Sequence, residues 1–179
     1  RCNAIWIVHP SGDAETAHRH VEGLRDIHLL EGGATRQISV RNALDALRST
    51  SPNYVLIHDA ARPFLPLPVI DGLLRALQQA KGAVPVLAVA DTVIQSQDSL
   101  MGDIIPREQL RRVQTPQAFD YHAILTAHQN WNGDDASDDA QILRKDGGQV
   151  ALVDGSNLLE KITFASDFHQ NTDRFQGCS

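Results

Sequence analysis

The chain has 179 residues, of which 42% are hydrophobic and 21% charged, and its formal net charge is −6. This composition is typical of a globular domain with a hydrophobic core, so it excludes a disordered or low-complexity protein. The acidic balance disfavours a duplex nucleic acid binder, and no apolar run reaches the roughly 18–20 residues that span a bilayer. The two cysteines, Cys2 and Cys178, have no metal-ligand spacing, and we expect reduced thiols in a cytoplasmic protein.

Strands and helices alternate along the first third of the sequence. Short apolar runs rich in β-branched residues predict strands over Ala4–Val8, Ile27–Leu30 and Tyr54–Ile57. Helical spacing of apolar residues predicts helices over Ala14–Leu24 and from Thr35 or Gln37 to about Leu47. The unalternating run at residues 54–57 indicates a strand buried on both faces, as in a parallel sheet.

The alternation continues after a proline-rich loop at residues 62–68. We predict helices over Val69–Ala80, Tyr121–Gln129 and Asp138–Lys145, and strands over Ala83–Val89, Gln149–Val153 and Ile162–Phe164. Residues 91–112 mix polar residues with short apolar pairs, and Gly102-Asp103 suits a turn, so we expect an extended arm or hairpin there. The whole pattern predicts an α/β fold, with a Rossmann-like, open, mostly parallel sheet, flanking helices and a protruding β-arm. We expect one domain over residues 1–170 and a polar tail or linker over residues 171–179.

Two segments that follow strands carry residues suited to ligand binding, because ligands of open α/β sheets bind outside the carboxyl ends of the strands. In the segment Gly32–Ser39, two glycines let the backbone approach a ligand and a helix N-terminus follows, although a plain tight turn explains the same spacing. In the segment His58–Pro63, Asp59 could hold a divalent metal or a ligand hydroxyl, and Arg62 offers a fork to phosphate. A local ion pair between Asp59 and Arg62 is an equally good explanation of the second segment.

Basic residues are concentrated around the predicted arm. This set consists of Arg107, Arg111, Arg112 and, later, Lys161, accompanied by Asp91, Thr92 and Thr115. It is compatible with an anion site or with a solvated charged face. The acidic cluster at residues 134–139 is better explained by capping of the helix that follows. No Walker A, G-x-G-x-x-G, H-E-x-x-H or G-x-S-x-G pattern supports a hydrolase triad or a dinucleotide-dependent oxidoreductase.

The segments form an ordered set over nearly the whole chain. They are Glu31-Gly32-Gly33-x-x-Arg36-x-x-Ser39-Val40, His58-Asp59-Ala60-Ala61-Arg62-Pro63, Asp91-Thr92, Pro106-Arg107-x-x-Leu110, Gln114-Thr115-Pro116-Gln117-x-Phe119, Asp138-Asp139-Ala140 and Lys161-Ile162-Thr163. This set resembles the 2-C-methyl-D-erythritol 4-phosphate cytidylyltransferase family of the non-mevalonate isoprenoid pathway. The resemblance implies transfer of CMP from CTP to methylerythritol phosphate, with release of pyrophosphate and a need for Mg²⁺ or another divalent cation. A polyol-phosphate cytidylyltransferase acting on ribitol or glycerol phosphate, and a catalytically silent dimerisation domain of the same fold, are the alternatives.

The resemblance also implies roles for individual residues. Gly33, the backbone of Ala34, and Ser39 would contact the cytosine ring, while Asp59 and Ala60 would lie at the ribose and the reacting phosphate. The residues that would hold methylerythritol phosphate are Asp59, Arg62, Thr92, Arg107, Thr115 and Lys161, with Arg107 and Lys161 positioning the attacking phosphate as the catalytic pair. Asp59 is the candidate metal ligand, directly or indirectly. The family's arm crosses to a second subunit, so we expect a homodimer through residues 91–112 and no nucleic acid or membrane partner.

The sequence departs from the family pattern at its start. Family members begin with a strand, a Gly-rich loop and a Lys-containing segment that grips the triphosphate, and Ala4–Val8 aligns with their second strand. We therefore expect a missing unit of at least about 30 residues. It could lie outside the given sequence, have been cut away, or be absent from a degenerate domain. Some bacteria fuse such a domain to a cyclodiphosphate synthase, and residues 164–179 could lead into one.

Overall fold

The computed structural model describes residues 2–133, residues 136–163 and Asp167. These residues fall into two compact units. Of the described residues, unit 1 contains 2–55, 80–82, 119–133 and 136–150, and unit 2 contains 56–79, 83–118, 151–163 and Asp167. The predicted tail over residues 171–179 lies outside the described residues.

Nine strands and five helices are present in the described part of the chain. The strands are β1 (Ile5–His9), β2 (Ile27–Glu31), β3 (Tyr54–Ile57), β4 (Gly82–Ala88), β5 (Val93–Gln97), β6 (Leu100–Ile105), β7 (Arg111–Val113), β8 (Gln117–Asp120) and β9 (Val150–Asp154). The helices are α1 (Ala14–Val21), α2 (Arg36–Ala46), α3 (Leu67–Ala76), α4 (Tyr121–Asn130) and α5 (Asp139–Lys145). Short 3₁₀ turns occupy Leu47–Ser49, Arg107–Gln109 and Asn157–Leu159. None of the helices in these residues is long and apolar enough to cross a membrane.

The strands form three sheets. β1 and β2 pair in parallel, with Ile5 opposite Ile27, and α1 connects them as the crossover that a parallel pair requires. A larger sheet has the order β3-β8-β4-β7, and β9 also pairs with β4. In it β4 and β7 are antiparallel, with Val86 opposite Val113. β5 and β6 form a separate antiparallel hairpin.

Unit 1 has its core between three helices. Leu44 of α2, Ile124 of α4 and Ile142 of α5 are each at most 2% exposed, because the contacting helices bury them. Tyr121 at the start of α4 is also buried, and its hydroxyl donates a hydrogen bond to the carbonyl of Leu44 at 3.0 Å. A buried phenol needs such a partner, so this bond fixes how α2 and α4 pack.

Unit 2 has its core along one face of α3. Val69, Ile70, Leu73 and Leu77 are buried at helical spacing. The helix begins at Leu67, two residues before the predicted start, because Pro66 lies at the N-cap and Pro68 fits the first turn, where no amide donor is needed. β4 contributes the buried Ala83 and Val84.

The alternation of helices and strands agrees with the predicted α/β class, and the structure differs from the prediction at several points. β7 and β8, on either side of Pro116, were not predicted. They are three and four residues long, and so short a segment gives no periodic signal. Ile162 and Thr163 are not in a strand, and Phe164 lies outside the described residues. Instead of pairing in a sheet, the Ile162 amide donates to the Ala61 carbonyl at 2.8 Å.

The hairpin turns at a different place from the one predicted. Asp98 and Ser99, both with positive φ (47° and 67°), form the turn, as two-residue hairpin turns require. Gly102 instead lies within β6, where an added Cβ would be 2.9 Å from the Gln95 carbonyl oxygen, next to a register shift between Ile94 and Ser96. The glycine therefore permits close backbone approach at an irregular pairing rather than a turn.

Candidate functional site

In unit 1, the loop between β2 and α2 is built around Ser39. The Gly33 amide donates to the Ser39 hydroxyl at 3.0 Å, and that hydroxyl donates to the carbonyl of Thr35 at 2.8 Å. Thr35 is the N-cap of α2, since its side chain accepts the Ile38 amide at 3.2 Å. A Cβ on Gly32 would lie 2.7 Å from the Ser39 oxygen, so a side chain there would displace the hydroxyl that accepts the Gly33 amide. The structure therefore brings two of the predicted cytosine contacts, Gly33 and Ser39, together.

Ala34 lies between these two residues in the sequence, and it is exposed like Gly33. Its methyl side chain offers a ligand no polar contact, so only its backbone can take part, as the sequence predicts. An exposed glycine-alanine backbone followed by the N-terminus of an 11-residue helix is suited to a planar polar ring or an anion.

The first residue of α2, Arg36, is held by a charged pair in which the carboxylate is buried and the guanidinium is partly exposed. Arg36 Nη2 lies 2.8 Å from Asp139 Oδ2, and Asp139, the first residue of α5, is fully buried. The other carboxylate oxygen lies 3.1 Å from Nε2 of His128, which is also fully buried in α4. This network ties the N-terminus of α2, and with it the glycine loop, to the α4 and α5 helices.

Sequence reasoning missed the role of Asp139. It assigned the acidic cluster to capping, which is right for Asp138, whose carboxylate accepts the Gln141 amide at 2.8 Å. Asp134 and Asp135 lie outside the described residues. Asp139 is instead the buried partner of Arg36, 103 residues away in the sequence. The presence of Arg36 within the glycine segment was the available signal, but only the fold shows its partner.

In unit 2, Asp59 gathers two of the predicted cations. Its Oδ2 lies 3.1 Å from Lys161 Nζ and 4.0 Å from Arg62 Nε. The Asp59 and Arg62 side chains are 18% and 14% exposed, whereas Lys161 is 48% exposed. The local pair between Asp59 and Arg62 is thus present, but the closer cation comes from 102 residues further along the chain. A half-exposed ammonium next to a mostly buried carboxylate can exchange that partner for an incoming phosphate.

Two contacts hold the Lys161 segment against the loop after β3. Arg62 Nη1 donates to the carbonyl of Leu159, and the Ile162 amide donates to the carbonyl of Ala61. They flank Lys161 on both sides, so they fix its backbone next to Asp59. Ala60 lies in the same turn and is exposed, so its backbone is open to a ligand.

Gln114 supports the same segment and was not predicted as a site residue. It is 5% exposed, and its amide nitrogen donates to the Ser156 carbonyl at 2.9 Å while its oxygen accepts the Ser156 amide at 3.0 Å. A Cβ on Gly155 would lie 2.3 Å from this side-chain oxygen, so the glycine makes room for it. Gln114 therefore clamps the turn that leads to Lys161. It belongs to the Gln114–Phe119 motif, which is the signal that could have found it.

Thr115 is also largely buried, at 7% exposure. Its hydroxyl oxygen accepts the Asp59 amide at 3.0 Å and lies 3.2 Å from Nδ1 of His58. His58 Nε2 lies 3.0 Å from the carbonyl oxygen of Arg62. Partial removal of the His58 ring from water lowers its pKa below the ordinary value of 6.5, outweighing the contacts that favour the charged form. The structure thus brings Thr115 together with Asp59, Arg62 and Lys161, three other residues of the predicted substrate set, and adds His58 to them.

Arg107 and Thr92 flank the β5–β6 hairpin. Arg107 Nη1 donates to the carbonyl of Ala90, and its Nε lies 3.9 Å from Glu108 Oε1. The Arg107 side chain is 49% exposed and Thr92 is exposed, so both are open to a ligand or a partner. These contacts anchor Arg107 at the base of the hairpin rather than in the cluster around Asp59.

Comparisons with known proteins give a consistent result. The family model described as IspD, 2-C-methyl-D-erythritol 4-phosphate cytidylyltransferase, matches residues 1–173. The bifunctional enzyme IspD/IspF of Novosphingobium aromaticivorans is 47% identical over 169 residues, which is 94% of this chain and 44% of that protein. The chain therefore spans less than half the length of this curated relative.

Solved structures are similar as well. The crystal structure of 2-C-methyl-D-erythritol 4-phosphate cytidylyltransferase from Thermus thermophilus is 38% identical, with a TM-score of 0.85 over 97% of this chain and 82% of that chain. The bifunctional IspDF from Campylobacter jejuni is 26% identical, with a TM-score of 0.76 over 92% of this chain and 41% of that one. Together with the glycine loop and the cluster around Asp59, these matches show that the chain belongs to the 2-C-methyl-D-erythritol 4-phosphate cytidylyltransferase (IspD) family.

Proposed function

We propose that this chain carries the activity of its family, the transfer of CMP from CTP to 2-C-methyl-D-erythritol 4-phosphate with release of pyrophosphate. Beyond family membership, the observation that carries the proposal is the cluster in which Lys161 and Arg62 meet Asp59 at the end of β3. It offers an exposed ammonium for an incoming phosphate at the edge where α/β sheets bind ligands.

The reaction is an in-line displacement at the α-phosphorus of CTP. A phosphate oxygen of methylerythritol phosphate forms the new bond to that phosphorus, and the bond to the oxygen bridging the α- and β-phosphates breaks. Pyrophosphate leaves with the electron pair. Such transfers depend on positioning and charge neutralisation rather than on a protein nucleophile.

Each residue group has a separate role in this proposal. Gly33, the backbone of Ala34, and Ser39 recognise cytosine. Asp59 and the backbone of Ala60 contact the ribose and the reacting phosphate. Lys161 and Arg107 position the attacking phosphate, and Thr92, Arg62 and Thr115 complete the site for methylerythritol phosphate. Asp59 holds Lys161 Nζ at 3.1 Å before substrate binds, so the ammonium is oriented in advance.

A divalent cation, expected to be Mg²⁺, is part of the proposal. In the described part of the chain no three His, Cys, Asp or Glu side chains form a metal cluster. Mg²⁺ is commonly held by one or two carboxylates together with substrate phosphates. Asp59 fits that arrangement as a single carboxylate ligand, direct or through water, with the CTP phosphates supplying the other oxygens. When bound, the metal would neutralise charge on those phosphates.

We also propose that the β5–β6 hairpin is the arm of a homodimer. Leu100, Met101 and Ile104 on β6 are 73%, 70% and 65% exposed. Because strand residues alternate, Leu100 and Ile104 lie on one face of the hairpin and Met101 on the other, so the hairpin exposes apolar side chains on both faces and is suited to burial against a partner. A second copy of the chain would cover the hairpin and would receive Arg107 and Thr92 from its base.

The parallel pair of β1 and β2 supports the Rossmann-like, mostly parallel sheet, which stays a prediction. The domain bounds and the cytoplasmic location also stay predictions.

The test is release of pyrophosphate from CTP in the presence of Mg²⁺. The protein is assayed with its natural flanking sequence, using methylerythritol phosphate, ribitol phosphate and glycerol phosphate as acceptors. We expect release with methylerythritol phosphate at a kcat/KM at least about a hundredfold above the other two, since polar groups of a site left unpaired by a wrong substrate are costly. A preference for ribitol or glycerol phosphate would favour the polyol-phosphate alternative, and no release with any acceptor would favour a silent domain.

A further inference from the structure

We propose that Gln114 is a positioning residue for the transfer reaction. Its side chain holds the backbone that places the Lys161 ammonium at the attacking phosphate, and Gly155 provides the space that admits this side chain. The inference rests on the proposed function, in which Lys161 positions that phosphate. All the residues involved belong to unit 2, and Gln114 acts through Lys161 rather than on the substrate itself.

The Lys161 backbone belongs to no helix or strand. β9 ends at Asp154, and a 3₁₀ turn at Asn157–Leu159 separates it from Lys161. The Lys161 ammonium lies 3.1 Å from Asp59 Oδ2, and the side chain is 48% exposed. An incoming phosphate would compete with Asp59 for that ammonium, so the ion pair alone does not determine where the ammonium lies in the loaded site. The position of the Lys161 backbone must do so, and it depends on individual hydrogen bonds.

Gln114 supplies three of these contacts. Its amide nitrogen donates to the Ser156 carbonyl at 2.9 Å, and its amide oxygen accepts the Ser156 amide at 3.0 Å. The same nitrogen lies 3.4 Å from the Leu159 carbonyl oxygen, which also accepts a bond from Arg62. A side-chain amide has the donor and the acceptor of a peptide group, so Gln114 holds the Ser156 backbone as a neighbouring strand would.

Strand β4 supports both sides of this contact. The Gln114 backbone amide donates to the Pro85 carbonyl at 2.8 Å, and the Gly155 amide donates to the Val86 carbonyl at 3.0 Å. A Cβ on Gly155 would lie 2.3 Å from the Gln114 side-chain oxygen, so the glycine is what lets the glutamine reach the turn. Gln114 is 5% exposed, and little water competes for its bonds. The glutamine therefore links the turn after β9 to a strand of the larger sheet.

Loss of the glutamine amide should impair the step that Lys161 serves and leave CTP binding intact. Gln114→Met keeps the length of the side chain and removes its hydrogen-bonding groups. We expect it to lower kcat/KM for methylerythritol phosphate about tenfold to a hundredfold, because a misplacement of about 1 Å is that costly in a positioned site. KM for CTP should stay within about twofold of the wild type. In the Lys161→Ala background Gln114→Met should add less than about twofold, since effects that act through one group are not additive.

Gly155→Ala tests the same contact from its other side. The added methyl group would displace the Gln114 side chain, so we expect a similar loss in kcat/KM. In the Gln114→Ala background the 2.3 Å contact is gone and a 3.0 Å contact with the Val86 carbonyl remains, so Gly155→Ala should add less than about threefold. The control for a loss of stability alone is Leu73→Ala in α3, where the side chain is fully buried. It should lower the urea midpoint of unfolding at least as much as Gln114→Met while kcat/KM stays within about twofold.

Amide hydrogen exchange tests the anchoring without turnover. The Ile162 amide, directly after Lys161, donates to the Ala61 carbonyl at 2.8 Å. If Gln114 holds this segment in place, the Ile162 amide should exchange at least about tenfold faster in Gln114→Met, because its bond then opens more often. The Ile38 amide in unit 1, which donates to Thr35, should exchange at the wild-type rate.

The outcomes separate this inference from the proposed function. Unchanged exchange at Ile162 would overturn the inference, and so would wild-type kcat/KM in both Gln114→Met and Gly155→Ala. A loss from Gln114→Met that is as large in the Lys161→Ala background as in the wild type would overturn it as well. Absence of pyrophosphate release by the wild type would instead overturn the proposed function and the catalytic half of this inference, while the exchange result would still decide whether Gln114 anchors the segment.

Discussion

Gly33 in the loop before α2 offers a sharp test of the proposed cytosine site. A Cβ added at this position would lie 2.1 Å from Ile38 Cγ2 and 2.8 Å from Ile38 Cβ. Ile38 is in the first turn of α2, and its Cβ is fixed to the helix backbone, so rotation of the side chain cannot remove the second contact. Nonbonded carbon atoms need about 3.5 Å, so in Gly33→Ala the loop and the helix must separate by up to about 1.4 Å.

The displacement acts directly on the contact that orders the loop. The Gly33 amide bonds to the Ser39 hydroxyl at 3.0 Å, and a shift of this size would break that bond. A misplacement of about 1 Å can cost a hundredfold in a positioned site, so we expect CTP binding to weaken by about tenfold to a hundredfold. The cost to folding should be of similar size, about 1–3 kcal/mol, which is typical of overpacking at a single site.

The assay is titration calorimetry of CTP binding, with urea unfolding of the same samples. The matched control is Gly72→Ala in α3, where the nearest atoms to an added Cβ are 3.9 Å away. That substitution should leave CTP binding unchanged and stabilise the helix by up to about 1 kcal/mol. In Gly33→Ala/Ile38→Ala the 2.1 Å contact is gone and the 2.8 Å contact remains, so binding should recover in part. Wild-type CTP affinity in Gly33→Ala would refute the assignment of this loop.

Three further predictions test other parts of the account. Asp139→Asn should lower the free energy of unfolding by about 2–4 kcal/mol in urea denaturation, because Arg36 loses its buried counter-ion. The control Asp45→Asn breaks an exposed 2.8 Å pair with Arg48 and should cost less than about 1 kcal/mol. Equal effects of the two substitutions would contradict the network around Asp139. Lys161→Ala and Arg107→Ala should each reduce kcat/KM at least about tenfold in the pyrophosphate assay, because charged contacts to phosphate are lost. The control Lys81→Ala removes only a surface pair with Asp120 and should leave kcat/KM unchanged. Wild-type rates in the first two variants would count against the site. Met101→Lys should shift the protein toward monomer in sedimentation velocity at micromolar concentration, whereas the control Lys81→Ala should not change the oligomeric state. A Met101→Lys protein that remains as dimeric as the wild type would exclude the hairpin as the dimer interface.

Local chemistry made much of the fold predictable from the sequence. The strand over residues 54–57 has the bounds that its apolar run predicted. The start of α2 was predicted at Thr35 or Gln37, and Thr35 is its N-cap. β7 and β8 were not predicted, because three or four residues are too few to show an alternating pattern of apolar side chains. The positions of these two strands depend on pairing with distant strands. The position of the hairpin turn was not predicted, because Asp98 and Ser99 adopt positive φ there although neither is glycine. Gly102 instead permits a close backbone contact across the hairpin.

The candidate site was predictable as a set of segments but not as a set of contacts. The ordered motifs predicted Asp59, Arg62, Thr115 and Lys161 as site residues, and the fold brings these four side chains together. Sequence order could not indicate that Asp139 pairs with Arg36, or that His58 bonds to Thr115, because each pair joins residues more than 50 positions apart. The hydrogen-bond partner of a buried polar group is set by the tertiary fold, which the order of residues alone does not show.

The most direct test of the central claim is identification of the product. The protein with its natural flanking sequence is incubated with CTP, Mg²⁺ and 2-C-methyl-D-erythritol 4-phosphate, and the mixture is followed by ³¹P NMR and mass spectrometry. The account predicts that a diphosphate ester of cytidine and methylerythritol accumulates together with an equal amount of pyrophosphate. Unchanged CTP, or CMP and pyrophosphate without that ester, would contradict it.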